Sequence, residues 1–204
     1  MPVNEHRKRL AASARRQQIL DAATALFIAR GFEAVSMADL AQAIQVSRPA
    51  VYSYFASTEA VLQTLLDERL QQLWTHLERL LPHNLDPHDR SSRGVYAALF
   101  GFLLGERESL LLLHSGGGPS FQARRTAFLT QLGERLEAQY PHIRRRPFQM
   151  VLITQLLDSL AHHAVQNDVK DVAALARTLD AFVRGGIEAL SSEWEREQEF
   201  SLTS

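Results

Sequence analysis

The chain has 204 residues, of which 46% are hydrophobic and 22% charged, and it contains no cysteine. This composition suits a globular protein with one small and one larger core. It excludes disulfides, thiolate metal ligands and thiol redox sensing. The N-terminal segment is charged, and no apolar run approaches the roughly 20 residues of a membrane span. We therefore expect a cytoplasmic protein that does not enter a membrane.

The formal net charge of −1 conceals an uneven distribution. Residues 1–63 carry 7 Lys and Arg against 5 Asp and Glu, whereas the remaining residues carry 15 against 18. The positive charge is concentrated at Arg7, Lys8, Arg9, Arg15 and Arg16. Residues 1–14 are therefore interpreted as a flexible basic arm. Two hypotheses remain open for it: contact with phosphates or a minor groove, and a solvated, disordered terminus.

An amphipathic helix is predicted at residues 15–29. Its apolar positions follow the i, i+3, i+4 spacing of a helix with one buried face; they are Ile19, Ala22, Ala23, Leu26 and Phe27. Gly31 follows as a left-handed helix cap. Phe32 and Val35 then supply apolar contacts that would close a small three-helix core.

Residues 36–62, SMADLAQAIQVSRPAVYSYFASTEAVL, predict two short helices separated by a tight break. Ser36 and Asp39 form an S-x-x-D capping box at the start of the first helix. After a break at Gln45 and Val46, Ser47 offers a second N-cap. Pro49 then falls in the first turn, where its missing N–H costs nothing.

The second of these helices has the features of a DNA-recognition helix. Val51 and Phe55, four residues apart, form its buried stripe. The side chains left on or near the free face are Arg48, Ala50, Tyr52, Ser53 and Tyr54. A helix of about two turns with small residues at its N-terminal end fits a major groove about 12 Å wide.

In these residues the chain resembles the TetR family of one-component transcriptional regulators, over about residues 15–63. The matching residues are Ile19, Leu20, Asp21, Ala22, Ala23, Leu26, Phe27, Gly31, Phe32, Ser36, Met37, Leu40, Ala41, Val46, Ser47, Val51, Tyr52, Tyr54, Phe55, Ser57, Glu59, Ala60 and Leu62. Two positions depart from the family pattern. Gln45 replaces the usual glycine of the break, which predicts a left-handed non-glycine residue at a cost of roughly 1 kcal/mol. Thr58 replaces the usual lysine, although its hydroxyl and the helix N-terminus could still hold a phosphate.

The resemblance and the exposed positions together suggest roles in binding a double-stranded operator. Ser36 and Tyr52 are expected to hold phosphates, with Thr58 as a weaker phosphate contact. The candidates that face base edges or sugars are Arg48, Ala50, Ser53 and Tyr54, with Pro49 at the same helix start. An arginine that reads guanine would contribute roughly 1–3 kcal/mol of discrimination.

Beyond residue 63 only periodicity guides the interpretation, and it predicts a larger helical domain at residues 64–204. The predicted helices cover residues 57–80, 95–104, 107–114, 120–140, 148–166 and 172–190, with an exposed loop at 82–89. The helix at 95–104 is apolar most of the way round, which predicts an interior position. Ser115 and the three glycines after it suggest a flexible loop rather than a phosphate cradle, because neither Lys-Ser nor Lys-Thr follows.

The last two helices are the predicted dimerisation element. The helix at 148–166 is apolar at Met150, Ile153, Leu157, Leu160, Ala161 and Ala164, and the helix at 172–190 at Leu175, Leu179, Phe182, Val183, Ile187 and Leu190. Gly185 and Gly186 would each cost about 1 kcal/mol relative to alanine unless they allow close helix contact. The resemblance implies a homodimer that matches a palindromic operator. The pattern alone would also suit a monomeric bundle.

The resemblance also implies a small-molecule effector site in the C-terminal domain. Residues that could line it are Phe100, Phe102, Leu103, Leu111, Phe128, Leu132, Leu156 and Leu160, which suit a fatty acyl or aromatic effector. Ordinary core packing is the alternative for each of them. Asp158 and His162 lie four residues apart on one helix face. They could form a pair at the dimer interface, contact a ligand or, with only two ligands in reach, share a metal.

The sequence analysis therefore predicts an all-α protein with a three-helix DNA-binding head and a larger ligand-binding and dimerisation domain. No G-x-S-x-G, H-E-x-x-H or triad-like spacing occurs, so neither an enzyme nor a cofactor is expected. The favoured function is a dimeric repressor released from its operator by a small apolar molecule. The alternatives are an activator of the same fold and a helical adaptor with a vestigial effector cavity.

Overall fold

The computed structural model describes residues 2–81, 94–139 and 149–202, and within them side chains 12–190 and that of Ser192. These residues are helical, with no strand in the described ranges, which confirms the prediction of an all-α protein. The helices are α1 (Pro2–Arg30), α2 (Met37–Ala43), α3 (Arg48–Tyr52), α4 (Thr58–Leu80), α5 (Val95–Gly105), α6 (Arg107–Leu113), α7 (Pro119–Gln139), α8 (Gln149–Gln166) and α9 (Val172–Leu202). A 3-10 turn at Phe32–Ala34 follows α1. The loop predicted at residues 82–89 lies outside the described residues.

The first helix is longer than predicted. It begins at Pro2 instead of residue 15, so the segment interpreted as a flexible arm is helical from its second residue. The physical reason is composition: after Pro2 the segment contains no glycine or proline, and eight of residues 3–14 are Ala, Arg, Lys, Glu or Leu, all good helix formers. Pro2 itself stands at a helix start, where its missing N–H is tolerated.

The chain forms two compact units, and the first comprises Met1–Gln72 with Leu111–Phe128. Its core contains fully buried apolar side chains from six helices; they include Ile19, Leu20 and Phe27 of α1, Leu40 of α2, Val51 of α3, Leu62 of α4, Leu112 of α6 and Phe121 of α7. Each such burial contributes about 1.5–3 kcal/mol. This core fixes the short helices α2 and α3, which are too short to be stable alone.

The second unit comprises Leu73–Leu110 and Leu129–Ser204. In it α5 packs against α8 and α9, and the α5 start is tied by a hydrogen bond from the Tyr96 N–H to Asp180 Oδ1 (3.2 Å). Arg107 donates to the Val165 carbonyl oxygen at 3.3 Å. The predicted division at residues 14/15 and 63/64 stays a prediction, and the compact units divide the chain at other positions.

Helix α5 is not enclosed on all sides among the described residues, contrary to the prediction of an interior helix. Val95 and Phe100 are buried, whereas Ala98, Gly101 and Gly105 are exposed. The exposed positions recur every three or four residues and carry almost no side chain. Their exposure therefore costs little apolar area, and α5 needs only one covered face.

Two predicted caps differ in detail. Gly31 has a positive φ of 84°, but its ψ of 146° places it outside the left-handed helical region. That combination is essentially restricted to glycine. Ser47 occupies the N-cap position of α3, yet its side chain makes no capping hydrogen bond. Pro49 at the start of α3 removes one of the donors such a cap would satisfy.

Candidate nucleic-acid interface

The candidate interface begins at the N-terminus of α2, where the predicted capping box is present. The Ser36 hydroxyl accepts a hydrogen bond from the Asp39 N–H (3.3 Å), and the Asp39 carboxylate accepts one from the Ser36 N–H (2.8 Å). Arg30 contacts the same carboxylate at 3.2 Å. Hydrogen bonds from the Ser36 hydroxyl and N–H, together with Arg30, lower the pKa of Asp39 from 3.8 to about 2.

The break between α2 and α3 is a Schellman motif. The Val46 N–H donates to the Ala41 carbonyl (2.9 Å) and the Gln45 N–H donates to the Gln42 carbonyl (3.1 Å). These two hydrogen bonds define the Schellman motif, which usually places a left-handed residue directly after the C-cap of the helix. Gln45 occupies that position with φ 56°, which confirms the predicted left-handed glutamine.

Helix α3 is the candidate recognition helix, and it is held from beneath by two apolar side chains. Val51 is completely buried and Phe55 is buried just beyond the helix end, which confirms the predicted buried stripe. The helix is only five residues long, Arg48–Tyr52, shorter than the predicted two turns. Ser53 ends it, and its hydroxyl donates to the Ala50 carbonyl at 2.7 Å.

The predicted DNA-binding residues are all exposed or half-buried. Those exposed to solvent are Ser36, Arg48, Pro49, Tyr52 and Ser53, and those half-buried are Ala50, Tyr54 and Thr58. Tyr52 is 54% exposed, unusually high for so large an apolar ring. Ala60 N–H donates to the Ser57 hydroxyl at 3.2 Å, so the start of α4, which carries Thr58, is capped.

Arg16 supports the recognition helix in a way that sequence reasoning missed. Its guanidinium lies 5.4 Å from the centre of the Phe55 ring and pairs with Glu68 at 2.8 Å. Stacking on an aromatic face and ion pairing are both favourable for arginine. From the sequence alone, Arg16 is only an arginine one helical turn before the apolar Ile19 of α1. Nothing local could have identified Phe55, 39 residues later, as its partner.

The predicted effector residues are divided between the two units. Leu111 and Phe128 belong to the first unit, whereas Phe100, Leu103, Leu132, Leu156, Asp158 and His162 belong to the second. Within the second unit, α5 carries Phe100 and Leu103 and packs against α8. Helix α8 carries Leu156, Asp158 and His162. Phe100 and Asp158 are buried, and His162 is half-buried.

The geometry defines an all-helical protein with an N-terminal helix-turn-helix. Residues 19–65 match the family model described as bacterial regulatory proteins, tetR family. Over these residues, which include the helix-turn-helix, the chain is similar to the TetR family. That family consists of regulatory proteins, in agreement with the expectation that the chain is not an enzyme.

A curated relative and two solved structures are similar to this chain. The HTH-type transcriptional activator FasR of Mycolicibacterium smegmatis is 28% identical over 110 residues, 54% of this chain and 50% of FasR. The FadR regulator of Bacillus subtilis, solved with stearoyl-CoA, matches with a TM-score of 0.62 and 18% identity over 83% of this chain and 98% of FadR. The multidrug binding protein EbrR, complexed with malachite green, matches with a TM-score of 0.65 and 19% identity over 83% of this chain and 97% of EbrR.

The two structural matches establish the fold, and the chain spans only half the length of FasR. Within the described ranges, no helix combines the length and apolar character needed to cross a bilayer.

Proposed function

We propose that the chain is a dimeric transcription regulator that binds a palindromic operator and is released from it by a small molecule. One observation supports this most directly. Helix α3 is fixed at its start by the Schellman motif and from beneath by Val51 and Phe55, while Arg48, Tyr52 and Ser53 remain exposed. A short rigid helix with a polar outer face is what insertion into a major groove requires.

The proposed contacts divide into those that position the protein and those that read sequence. Ser36, Tyr52 and Thr58 would hold phosphates, with Thr58 aided by the N-terminus of α4. Arg48 and Tyr54, with Pro49, Ala50 and Ser53 beside them, would face base edges or sugars. Because the Ser53 hydroxyl already donates to Ala50, it would offer DNA only its acceptor lone pairs.

Gel-shift titrations with the DNA that flanks the gene test this interface. Arg48→Ala should lose roughly 1–3 kcal/mol at one operator position, which appears as a relaxed preference among operators mutated there. Tyr52→Phe should weaken all operators about equally. Arg79→Ala is the matched control, because Arg79 is an exposed arginine at the far end of α4. An unchanged preference after Arg48→Ala would show that Arg48 contacts only backbone.

The α8 positions predicted for dimerisation are mostly buried within the single chain, among them Met150, Ile153 and Leu157, because they pack into its own core. The proposed dimer interface is therefore formed by the exposed faces of α8 and α9. Leu152 is 62% exposed and Phe182 is 71% exposed, and Val151 and Leu190 are exposed as well. Within one chain, a methyl group added at Gly185 or Gly186 would contact nothing. Apolar side chains around such glycines are typical of a surface that a second helix approaches closely.

Sedimentation of single variants tests the dimer. Phe182→Asp should shift the protein from dimer to monomer, since an unpaired carboxylate would be buried at the interface. Leu80→Asp introduces the same charge at an exposed leucine of α4 and should leave the dimer intact. Dissociation by both variants, or by neither, would contradict this location. A monomeric wild-type protein would instead favour the adaptor alternative.

The proposed effector is a small apolar molecule bound in residues 64–204, with Phe100, Leu103, Leu156 and His162 in its wall. The solved FadR holds stearoyl-CoA and EbrR holds malachite green, which supports a fatty acyl or aromatic ligand here. Native mass spectrometry of the purified chain would detect a copurified ligand, and stearoyl-CoA titration should weaken the gel shift. Failure of a panel of acyl and aromatic compounds to do so would favour a vestigial cavity.

Activation is the second candidate for the sign of regulation, because FasR is named an activator. The sign depends on where the operator lies relative to the promoter. A reporter driven by the flanking promoter, compared with and without the regulator, distinguishes the two. As a repressor acting on chromosomal DNA, the protein would work in the cytoplasm, and deletion of its gene should raise reporter output.

A further inference from the structure

The first compact unit contains a segment from the middle of the chain. Leu111–Phe128, the inserted hairpin, comprises the end of α6, the loop at residues 114–118 and the start of α7. The residues on both sides, up to Leu110 and from Leu129, belong to the second unit. The hairpin is therefore covalently joined to the second unit at both ends, although it folds with the DNA-binding head.

Polar contacts tie this hairpin to the 3-10 turn that follows α1. The Phe32 N–H donates to the Ser115 carbonyl at 2.7 Å. One carboxylate oxygen of Glu33 accepts from the N–H groups of Gly117 (3.0 Å) and Gly118 (2.6 Å). The N–H of Gly118 is the main cause of a lowered pKa at Glu33. Successive N–H groups that point at one anion form a backbone nest, and the charge strengthens each bond.

The three glycines of the loop differ in how much space is available for a side chain. A Cβ at Gly118 would lie 2.9 Å from the Glu33 carboxylate oxygen, and one at Gly116 would lie 2.6 Å from the Phe121 ring. A Cβ at Gly117 would meet nothing within 4 Å. The loop predicted to be flexible is thus shaped around Glu33 and Phe121. Gly117 also provides a neutral position for a control.

The hairpin and α4 are the covalent routes between the units. The chain passes from one unit to the other at residues 72/73, within α4, at 110/111, within α6, and at 128/129, within α7. A rearrangement of α6 or α7 in the second unit would therefore be passed to the hairpin along continuous helices. Within the first unit, the contacts of the hairpin include the two bonds to the Glu33 carboxylate and a hydrogen bond from Arg124 of the hairpin to Gln63 Oε1 of α4 at 2.6 Å. The Glu33 carboxylate differs from the second contact in that one charged oxygen accepts from two backbone donors.

We propose that Glu33 is a coupling residue, whose bonds to Gly117 and Gly118 link the position of the inserted hairpin to the orientation of the DNA-binding head. This inference rests on the proposed function, because it assigns to these bonds the transfer of effector binding to operator release. Coupling is reciprocal. Operator binding to the head should therefore stabilise the hairpin, and this direction can be measured without knowing the effector.

Hydrogen–deuterium exchange of the full-length chain, with and without the flanking DNA, tests the proposal. In the free wild-type protein the amides of Gly117 and Gly118 should be protected, and DNA should protect them further. Glu33→Ala and Gly118→Ala should speed their exchange by about tenfold, as expected for loss of hydrogen bonds to a charged group. Both should also abolish the added protection by DNA. Glu33→Gln, which keeps the shape and loses the charge, should have an intermediate effect.

The control and the contrary results separate this proposal from the regulator itself. Gly117→Ala should leave both the exchange and its response to DNA unchanged. DNA-induced protection that survives in Glu33→Ala would overturn the coupling role, while the regulator proposal stands. Equal exchange in Glu33→Ala, Gly118→Ala and Gly117→Ala would also overturn it. A wild-type chain that binds the flanking DNA without sequence preference would overturn the proposed function, and the coupling role with it.

Discussion

Replacement of Gln45 by glycine should stabilise the helix-turn-helix. Gln45 is exposed and adopts φ 56°, so its side chain contributes little packing while its Cβ strains the backbone. A left-handed conformation costs a residue with a Cβ about 1–2 kcal/mol. Glycine avoids that cost but gives the unfolded chain about 0.4–1 kcal/mol of extra freedom. The net gain should be about 0.5–1 kcal/mol, which corresponds to a Tm rise of roughly 1–4 °C in a chain of this size.

Thermal and urea unfolding followed by circular dichroism would measure this effect. Gln45→Asn should lie between wild type and glycine, since asparagine tolerates the left-handed region. Gln45→Val should be less stable than wild type, because a β-branched residue fits this region worst. Asp168 ends α8 with φ 48°, and its glycine variant serves as a comparison in the second unit. The reasoning would be refuted if the order of stability did not follow Gly, Asn, Gln, Val.

Three further predictions concern the head. Hydrogen bonds from Ser36 lower the pKa of Asp39 from 3.8 to about 2, so the stability contributed by the ionised Asp39 is fully present above about pH 4 and is lost as pH falls toward 2. Asp39→Asn should therefore flatten the acid unfolding curve between these pH values. An unchanged curve would contradict this prediction. Gly116→Ala should cost about 1–3 kcal/mol in urea unfolding, because its Cβ would overlap the buried Phe121 ring, and an unchanged midpoint would contradict this. Val51→Ala should cost about 2 kcal/mol and weaken operator binding, and full retention of binding would show that α3 needs no support from beneath.

Much of the fold could be predicted because its signals are local. Apolar spacing located the helices, with boundaries such as residues 95–104 against the observed Val95–Gly105. Ser36 and Asp39 cap α2 as expected, since a capping box involves residues only three apart. The prediction failed at α1, where basic charge suggested an arm although helix propensity favoured a helix.

The candidate DNA-binding site was also largely accessible from sequence. Val51 and Phe55 are buried, and the outward positions of α3 are exposed, because helix periodicity decides both. Their roles in binding DNA stay predictions. The effector site could not be located in the same way, because apolar residues that line a cavity and those that fill a core have the same spacing. Phe100 and Leu132 illustrate this, since both are simply buried.

The sequence by itself therefore determined most of the helices, the capping box at Ser36 and the left-handed turn at Gln45, all of which depend on residues within one or two helical turns. Only the tertiary structure decided which distant segments meet. Arg16 stacks on Phe55, and Glu33 accepts bonds from glycines more than 80 residues later. Such contacts leave no local pattern, because a carboxylate on a turn and a run of glycines are each compatible with many folds. Their meeting depends on how the chain folds the inserted hairpin back onto the head.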